Sequence, residues 1–278
     1  MTKLESRILR LMTAIPMWLL MGLGLSVLAA FAVIILYTTG GDAGADRYRM
    51  GPHLEPATPP PPRVLLLGDS VRIGYQREVR AALAGKATVC WPVANCGTSG
   101  DLRRRLDGWL RGEGLLGKPG AQARWDVIVV NAGLHDVRRD YAGDEFEPDP
   151  RSTTPQAYYE NVGDILAACQ ATGARVMWAS TTPVVEDRYA AWFSEHWPAD
   201  WRERRNADID AYNVLARRAC SYARVDWIDL GAVIREAGTA GTISEDGIHP
   251  NAEGAKRLAE AVAAGIRPNV EQRMDGER

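Results

Sequence analysis

The chain has 278 residues, 46% of them hydrophobic, which is enough for one sizeable buried core with appendages. With 33 basic against 35 acidic side chains and the two signs interspersed, a net charge of −2 leaves no footprint for nucleic acid. The four cysteines form no Cys-x-x-Cys pair and the four histidines are scattered, so neither a structural metal site nor a cofactor is expected.

Residues 1–10 make a short basic N-terminus, with Lys3, Arg7 and Arg10 against Glu5. From Leu11 to Tyr37 no side chain is charged. As a helix this run is about 40 Å long at ~1.5 Å per residue, more than the ~30 Å hydrocarbon core of a bilayer. Pro16 sits near its start, where a helix tolerates proline best. Residues 11–37 are therefore expected to be a transmembrane signal anchor. A cleavable signal peptide fits less well, because its apolar part spans only ~7–15 residues, although Ala43-Gly44-Ala45 resembles a cleavage site. The basic flank stays in the cytoplasm, so the rest of the chain is expected on the extracytoplasmic, periplasmic side. Residues 38–62 are rich in glycine and then proline, ending in four consecutive prolines from Pro59, and read as a semi-rigid linker.

A domain is expected over residues 63–268, followed by a charged tail at 269–278. Short β-branched runs predict strands at Val64–Leu67, Thr88–Val93, Asp126–Asn131, Arg175–Ser180 and Arg224–Ile228. Between and after them, amphipathic stretches predict helices at Ile73–Leu83, Leu102–Leu110, Pro155–Thr172, Arg204–Ala219 and Ala252–Ala264. This alternation is the pattern of a parallel sheet covered by helices on both faces. Thr181–Arg205 is the least regular part. With Trp192, Trp197 and Trp201 beside Tyr189 and Phe193, it is an aromatic insertion that either offers ring faces to a substrate or packs onto the domain. Cys90 and Cys96 either bridge in an oxidising compartment or remain two buried thiols. Cys169 and Cys220 read as small core residues.

Gly68-Asp69-Ser70 follows the first strand, and Asp246-Gly247-Ile248-His249 precedes the last helix. Together they supply a nucleophile, a base and an acid that orients the base, in the order Ser…Asp…His. A serine hydroxyl needs an imidazole to take its proton, and the imidazole needs an acceptor on its other nitrogen to set its tautomer. In a parallel α/β sheet the segments after the strands gather at one edge. That places Ser70, Gly97–Asp101, Asn131–Asp136 and the Asp246–His249 loop together.

These blocks resemble the SGNH hydrolases, also called GDSL-type esterases and lipases, over essentially all of 63–268. Gly68-Asp69-Ser70 is similar to the nucleophile block of that family and Asp246-Gly247-Ile248-His249-Pro250-Asn251 to its last block. Asn95–Asp101 resembles the second block, whose glycine lends a backbone N–H to the oxyanion hole; Gly100 is the better match and Gly97 the alternative. The third block departs from the family pattern Gly-x-Asn-Asp, since Gly133-Leu134-His135-Asp136 has histidine where the family has its oxyanion-donating asparagine. An imidazole N–H also donates, so His135 either takes over that work or holds the loop from behind. The resemblance implies a flavodoxin-like, three-layer α/β/α fold with a five-stranded, mainly parallel sheet. It further implies a serine esterase with Ser70, Asp246 and His249 as catalytic residues and an oxyanion hole of Ser70, Gly100 and His135. The expected partners are the membrane, through the N-terminal helix, and an ester, foremost an O-acetylated glycan. Acyl transfer with the same residues, lysophospholipase activity and a silent binding domain are the other readings.

Overall fold

The computed structural model describes residues 60–117, 124–140, 151–196 and 202–276. The expected span at 11–37 and nearly all of the linker at 38–62 lie outside them. Among the described residues no helix is long and apolar enough to cross a membrane.

Five parallel strands run in the spatial order β2 (Thr88–Pro92), β1 (Arg63–Leu67), β4 (Val127–Val130), β6 (Arg175–Ala179), β8 (Asp226–Ile228). Val64 pairs with Val89 on one side and Val127 on the other, so β1 is central. Val64–Leu67 and Val127–Val130 are buried throughout. Continuous apolar runs, in place of alternation, are what a sheet covered on both faces requires. One layer holds α1 (Ser70–Ala82) against α8 (Ala252–Gly276). The other layer is α2 (Ser99–Leu110), α3 (Pro155–Ala171) and α5 (Asn206–Ala223), packed in that order. Right-handed crossovers put the helix after β1 on one face and those after β2, β4 and β6 on the other. The strand order therefore reverses between β1 and β4, the place at which open α/β sheets hold their ligands, beyond the carboxyl ends of the strands.

Several features differ from the sequence expectations. The sheet has six strands, because β3 (Leu115–Leu116) adds an antiparallel edge beside β2, with Trp91 opposite Leu116. Two residues are too few for any periodicity to register. The aromatic insertion contains a regular helix, α4 (Glu186–His196), and a two-stranded ladder joins β5 (Arg139–Asp140) to β7 (Arg202–Glu203). Two short helices, α6 (Leu230–Glu236) and α7 (Thr239–Thr242), fill the connection after β8.

The last helix does not end at Ala264, nor the domain at Pro268. It continues to Gly276, so residues 269–276 belong to the domain and are no free tail. Val262, Ile266 and Val270 are fully buried at four-residue spacing, and Arg273 pairs with Asp126 at the start of β4. Burying a valine is worth about 1.5–3 kcal/mol, which offsets much of the ~3 kcal/mol that an interior proline costs a helix.

Candidate active site

Ser70 is the first residue of α1, directly after the turn that leaves β1. The Asp69 carboxylate caps this helix by accepting from the Val71 N–H at 2.9 Å. Glycine is required before it, since a Cβ on Gly68 would lie 2.8 Å from the Arg72 Cβ. Ser70 Oγ lies 2.7 Å from His249 Nε2, and His249 Nδ1 lies 2.5 Å from Asp246 Oδ2. The three residues expected at opposite ends of the domain thus form one hydrogen-bonded chain.

The other oxygen of Asp246 is saturated. It accepts from Ser244 Oγ at 2.7 Å, the Ile248 N–H at 2.9 Å and the His249 N–H at 3.0 Å. Burial alone pushes a carboxyl up, but these bonds and His249 outweigh it and hold Asp246 at about 2. It is a fixed anion beside the imidazole. Asn251 then starts α8 by accepting from the Gly254 N–H at 3.0 Å, so the helix anchors the loop from below.

The second block is bound to the nucleophile turn. Gly68 N–H donates to Cys96 Sγ at 3.3 Å, and Cys96 N–H donates back to Gly68 O at 3.2 Å. All four cysteines are free and buried, so Cys90 and Cys96 do not bridge. Helix α2 starts with a capping box between Thr98 and Asp101. Its first N–H, that of Ser99, goes to Asp136, and its third, that of Asp101, goes to Thr98 Oγ1. The N–H between them, on Gly100, has no acceptor among the described residues, nor has the N–H of Ser70. Gly97, the alternative, donates its N–H to Asn95 Oδ1 at 2.9 Å and is already occupied.

The third block is held by Asp136 and Ala132 and not by His135. The fully buried Asp136 takes the Ser99 N–H and, at 2.6 Å, the Ser99 hydroxyl. Burial dominates its titration and lifts it to about 6, against the hydrogen bonds from Ser99 and Thr153. Tyr158 Oη and Thr181 Oγ1 both donate to Ala132 O, at 2.8 and 3.1 Å. The His135 ring is half-buried and has no hydrogen-bond partner among the described residues. Burial lowers its pKa, Arg204 and Arg138 lower it further, and Asp69 and Asp101 oppose them. A neutral imidazole with an uncommitted N–H results.

Trp192 is half-buried on the core and stacks on His196 with ring centroids 4.3 Å apart. Trp197 and Trp201 lie outside the described residues. Among the described residues, no three acidic, cysteine or histidine side chains gather as a metal site would need.

Sequence reasoning missed Arg72. Its guanidinium is fully buried beneath the nucleophile turn and donates to Gly68 O, Pro92 O and Ala94 O at 2.9–3.3 Å, and to Gln76 Oε1. Burial pulls its pKa down. Nothing local marks it, because an arginine on a helix is ordinarily exposed. Three carbonyls aimed at one point are a tertiary property.

Comparison with known proteins agrees with this fold. A solved acetyl xylan esterase, AlAXEase, superposes with a TM-score of 0.52 at 17% identity, covering 73% of this chain and 99% of its own. A lipase/acylhydrolase from Enterococcus faecalis does so with a TM-score of 0.52 at 18% identity, covering 74% and 96%. In sequence, the chain is 23% identical over 221 residues to an acetylxylan esterase of Xylanibacter ruminicola, covering 74% of this chain but only 43% of that longer protein. The pattern of the GDSL-like Lipase/Acylhydrolase family matches residues 66–257, more than half of the chain. The chain belongs to the GDSL-like lipase/acylhydrolase family.

Proposed function

We propose that the domain is a serine carboxylic ester hydrolase that removes O-acyl groups, foremost acetyl, from a carbohydrate. The observation that carries the chemistry is the chain Ser70 Oγ–His249 Nε2–His249 Nδ1–Asp246 Oδ2. In this reading Ser70 Oγ attacks the ester carbonyl while His249 Nε2 takes its proton, and Asp246 stabilises the resulting imidazolium. The oxyanion is received by the open N–H groups of Ser70 and Gly100 and by the His135 ring. Collapse expels the alcohol, which takes the proton back from His249. Water, deprotonated by His249, then attacks the acyl carbon, and His249 returns the proton to Ser70 Oγ as the acid leaves.

The carbohydrate ester is supported by the names of two relatives, an acetylxylan esterase in sequence and an acetyl xylan esterase in fold. Anchoring by residues 11–37, with the domain outside the cytosol, is supported by the charge-free run and its basic flank. Such a domain meets envelope glycans. The test is a fluorophosphonate probe together with acetate release from acetylated xylan and a chain-length series of esters. Labelling and turnover that vanish in Ser70→Ala are expected, with acetyl esters preferred. Unlabelled, well-folded protein refutes the esterase. Preference for long acyl chains moves the substrate to a lysophospholipid, and transfer of acetyl to an added glycan moves the reaction to acyl transfer.

A further inference from the structure

Three loops must hold their spacing for the proposed oxyanion hole to work, and one buried cation ties one of them, that of His135, to helix α4. Arg204 is only 7% exposed, although it lies in the insertion between α4 and α5. Its Nε donates to Leu134 O at 2.8 Å, in the peptide that joins Leu134 to His135. Its Nη1 donates to Tyr189 Oη at 2.7 Å, and the guanidinium lies 5.2 Å from the centroid of the Tyr189 ring.

Tyr189 is fixed in turn. It lies on α4, whose entry is bound to the acid–base loop by the Val185 N–H donating to Gly247 O at 2.9 Å. Contact there is so close that a Cβ on Gly247 would lie 2.4 Å from Tyr189 N. Arg188, on the same helix, donates to Ile243 O and Ser244 O at 2.8 and 3.0 Å, just upstream of Asp246. A continuous path therefore runs from the His135 peptide through Arg204, Tyr189 and Gly247 to Asp246 and His249.

We infer that Arg204 is a positioning residue, which sets His135 relative to the Ser70–His249–Asp246 chain by bridging Leu134 O and Tyr189 Oη. This rests on the reading of His135 as an oxyanion donor. The aromatic insertion is then a brace of the site, acting through the contacts of α4 and not through open ring faces. The guanidinium also contributes charge. The groups acting on His135 are Asp69 from the nucleophile turn, Asp101 from α2, Arg138 from its own loop and Arg204 from the insertion. Losing Arg204 removes one of the two cations that disfavour the imidazolium.

The test combines kinetics with histidine NMR on the full chain, whose four histidines are few enough to assign with a His135→Ala variant. Arg204→Met is expected to lower kcat roughly 10–100-fold with KM little changed, the range for a loosened oxyanion donor. In a His135→Ala background the same change is expected to lower kcat less than about 3-fold, because residues acting as one unit are not additive. The His135 titration midpoint is expected to rise in Arg204→Met. Arg204→Lys restores the midpoint while leaving kcat low, since an ammonium replaces the charge but not the two-way fork. Equal losses of kcat in both backgrounds, or an unmoved His135 titration, overturn the inference. Should Arg204→Met fail to fold, Tyr189→Phe removes one end of the bridge and is expected to show the same dependence on His135. If the parent protein hydrolyses no ester, the proposed function fails by itself, while the titration still decides whether Arg204 governs His135.

Discussion

Replacing Asp246 by asparagine separates the acid's two tasks. Three donors, from Ser244 Oγ and the N–H groups of Ile248 and His249, fix an oxygen on their side of the side chain. The amide oxygen of an asparagine keeps that place, so the loop survives. Its NH2 group must then face His249 Nδ1, where a carboxylate oxygen now sits at 2.5 Å. Donor against donor drives the ring proton to Nε2, and Nε2 no longer accepts from Ser70 Oγ, 2.7 Å away. A wrong tautomer of this kind costs about 10⁴ in kcat, or roughly 5 kcal/mol of barrier. Stability falls too. Asp246 is held at about 2 against 3.8, and its side chain is only 19% exposed, so screening removes little. At ~1.4 kcal/mol per unit the anion contributes on the order of 2–3 kcal/mol at neutral pH. Because the folded value is the lower one, this contribution is complete above 3.8 and is lost as the pH falls through about 2. Hydrolysis of an aryl acetate near pH ~7.5 and urea unfolding at several pH values measure both. A folded Asp246→Asn protein with kcat within about tenfold of the parent would refute the orienting role.

The remaining predictions are briefer. His135→Ala is expected to lower kcat by about 10²–10³, the loss of one oxyanion donor at about 2.7–4 kcal/mol, with His135→Asn restoring part of it; unchanged kcat in both removes the ring from the site. Gly247→Ala should destabilise the domain by about 2–4 kcal/mol, since its φ of 75° and the 2.4 Å approach to Tyr189 N leave no room for a methyl group. An unfolding midpoint equal to the parent's would mean the loop and α4 separate at little cost. All four cysteines are buried thiols, so Ellman's reagent should find none in the native protein and four in denaturant without reductant. Two in denaturant would reveal a bridge.

How much of this was legible depends on the range of the interaction. The five parallel strands were readable because burial on both faces demands apolar runs such as Val64–Leu67 and Val127–Val130. The helix α4 was not, because only two of its residues, Tyr189 and Phe193, are buried, too sparse a stripe to show a helical period. The end of α8 was misplaced because Pro268 is a sound local stop signal, overridden only by the burial of Val270 and the pairing of Arg273 with Asp126.

The site divides in the same way. Asp246 and His249, three residues apart, and the turn that carries Ser70 are local arrangements, so their residue types and spacing alone pointed to the hydrogen-bonded chain that the structure contains. Gly100 could be singled out from its block, yet only the structure separated it from Gly97, by showing which N–H is already taken. The surroundings of Asp136, Arg72 and Arg204 were decided wholly by tertiary structure. Each is defined by what reaches it from 20 to 70 residues away in the chain. Hydrogen bonds of that span leave no trace in local pattern, because burial and geometry, and not spacing, determine which polar group meets which.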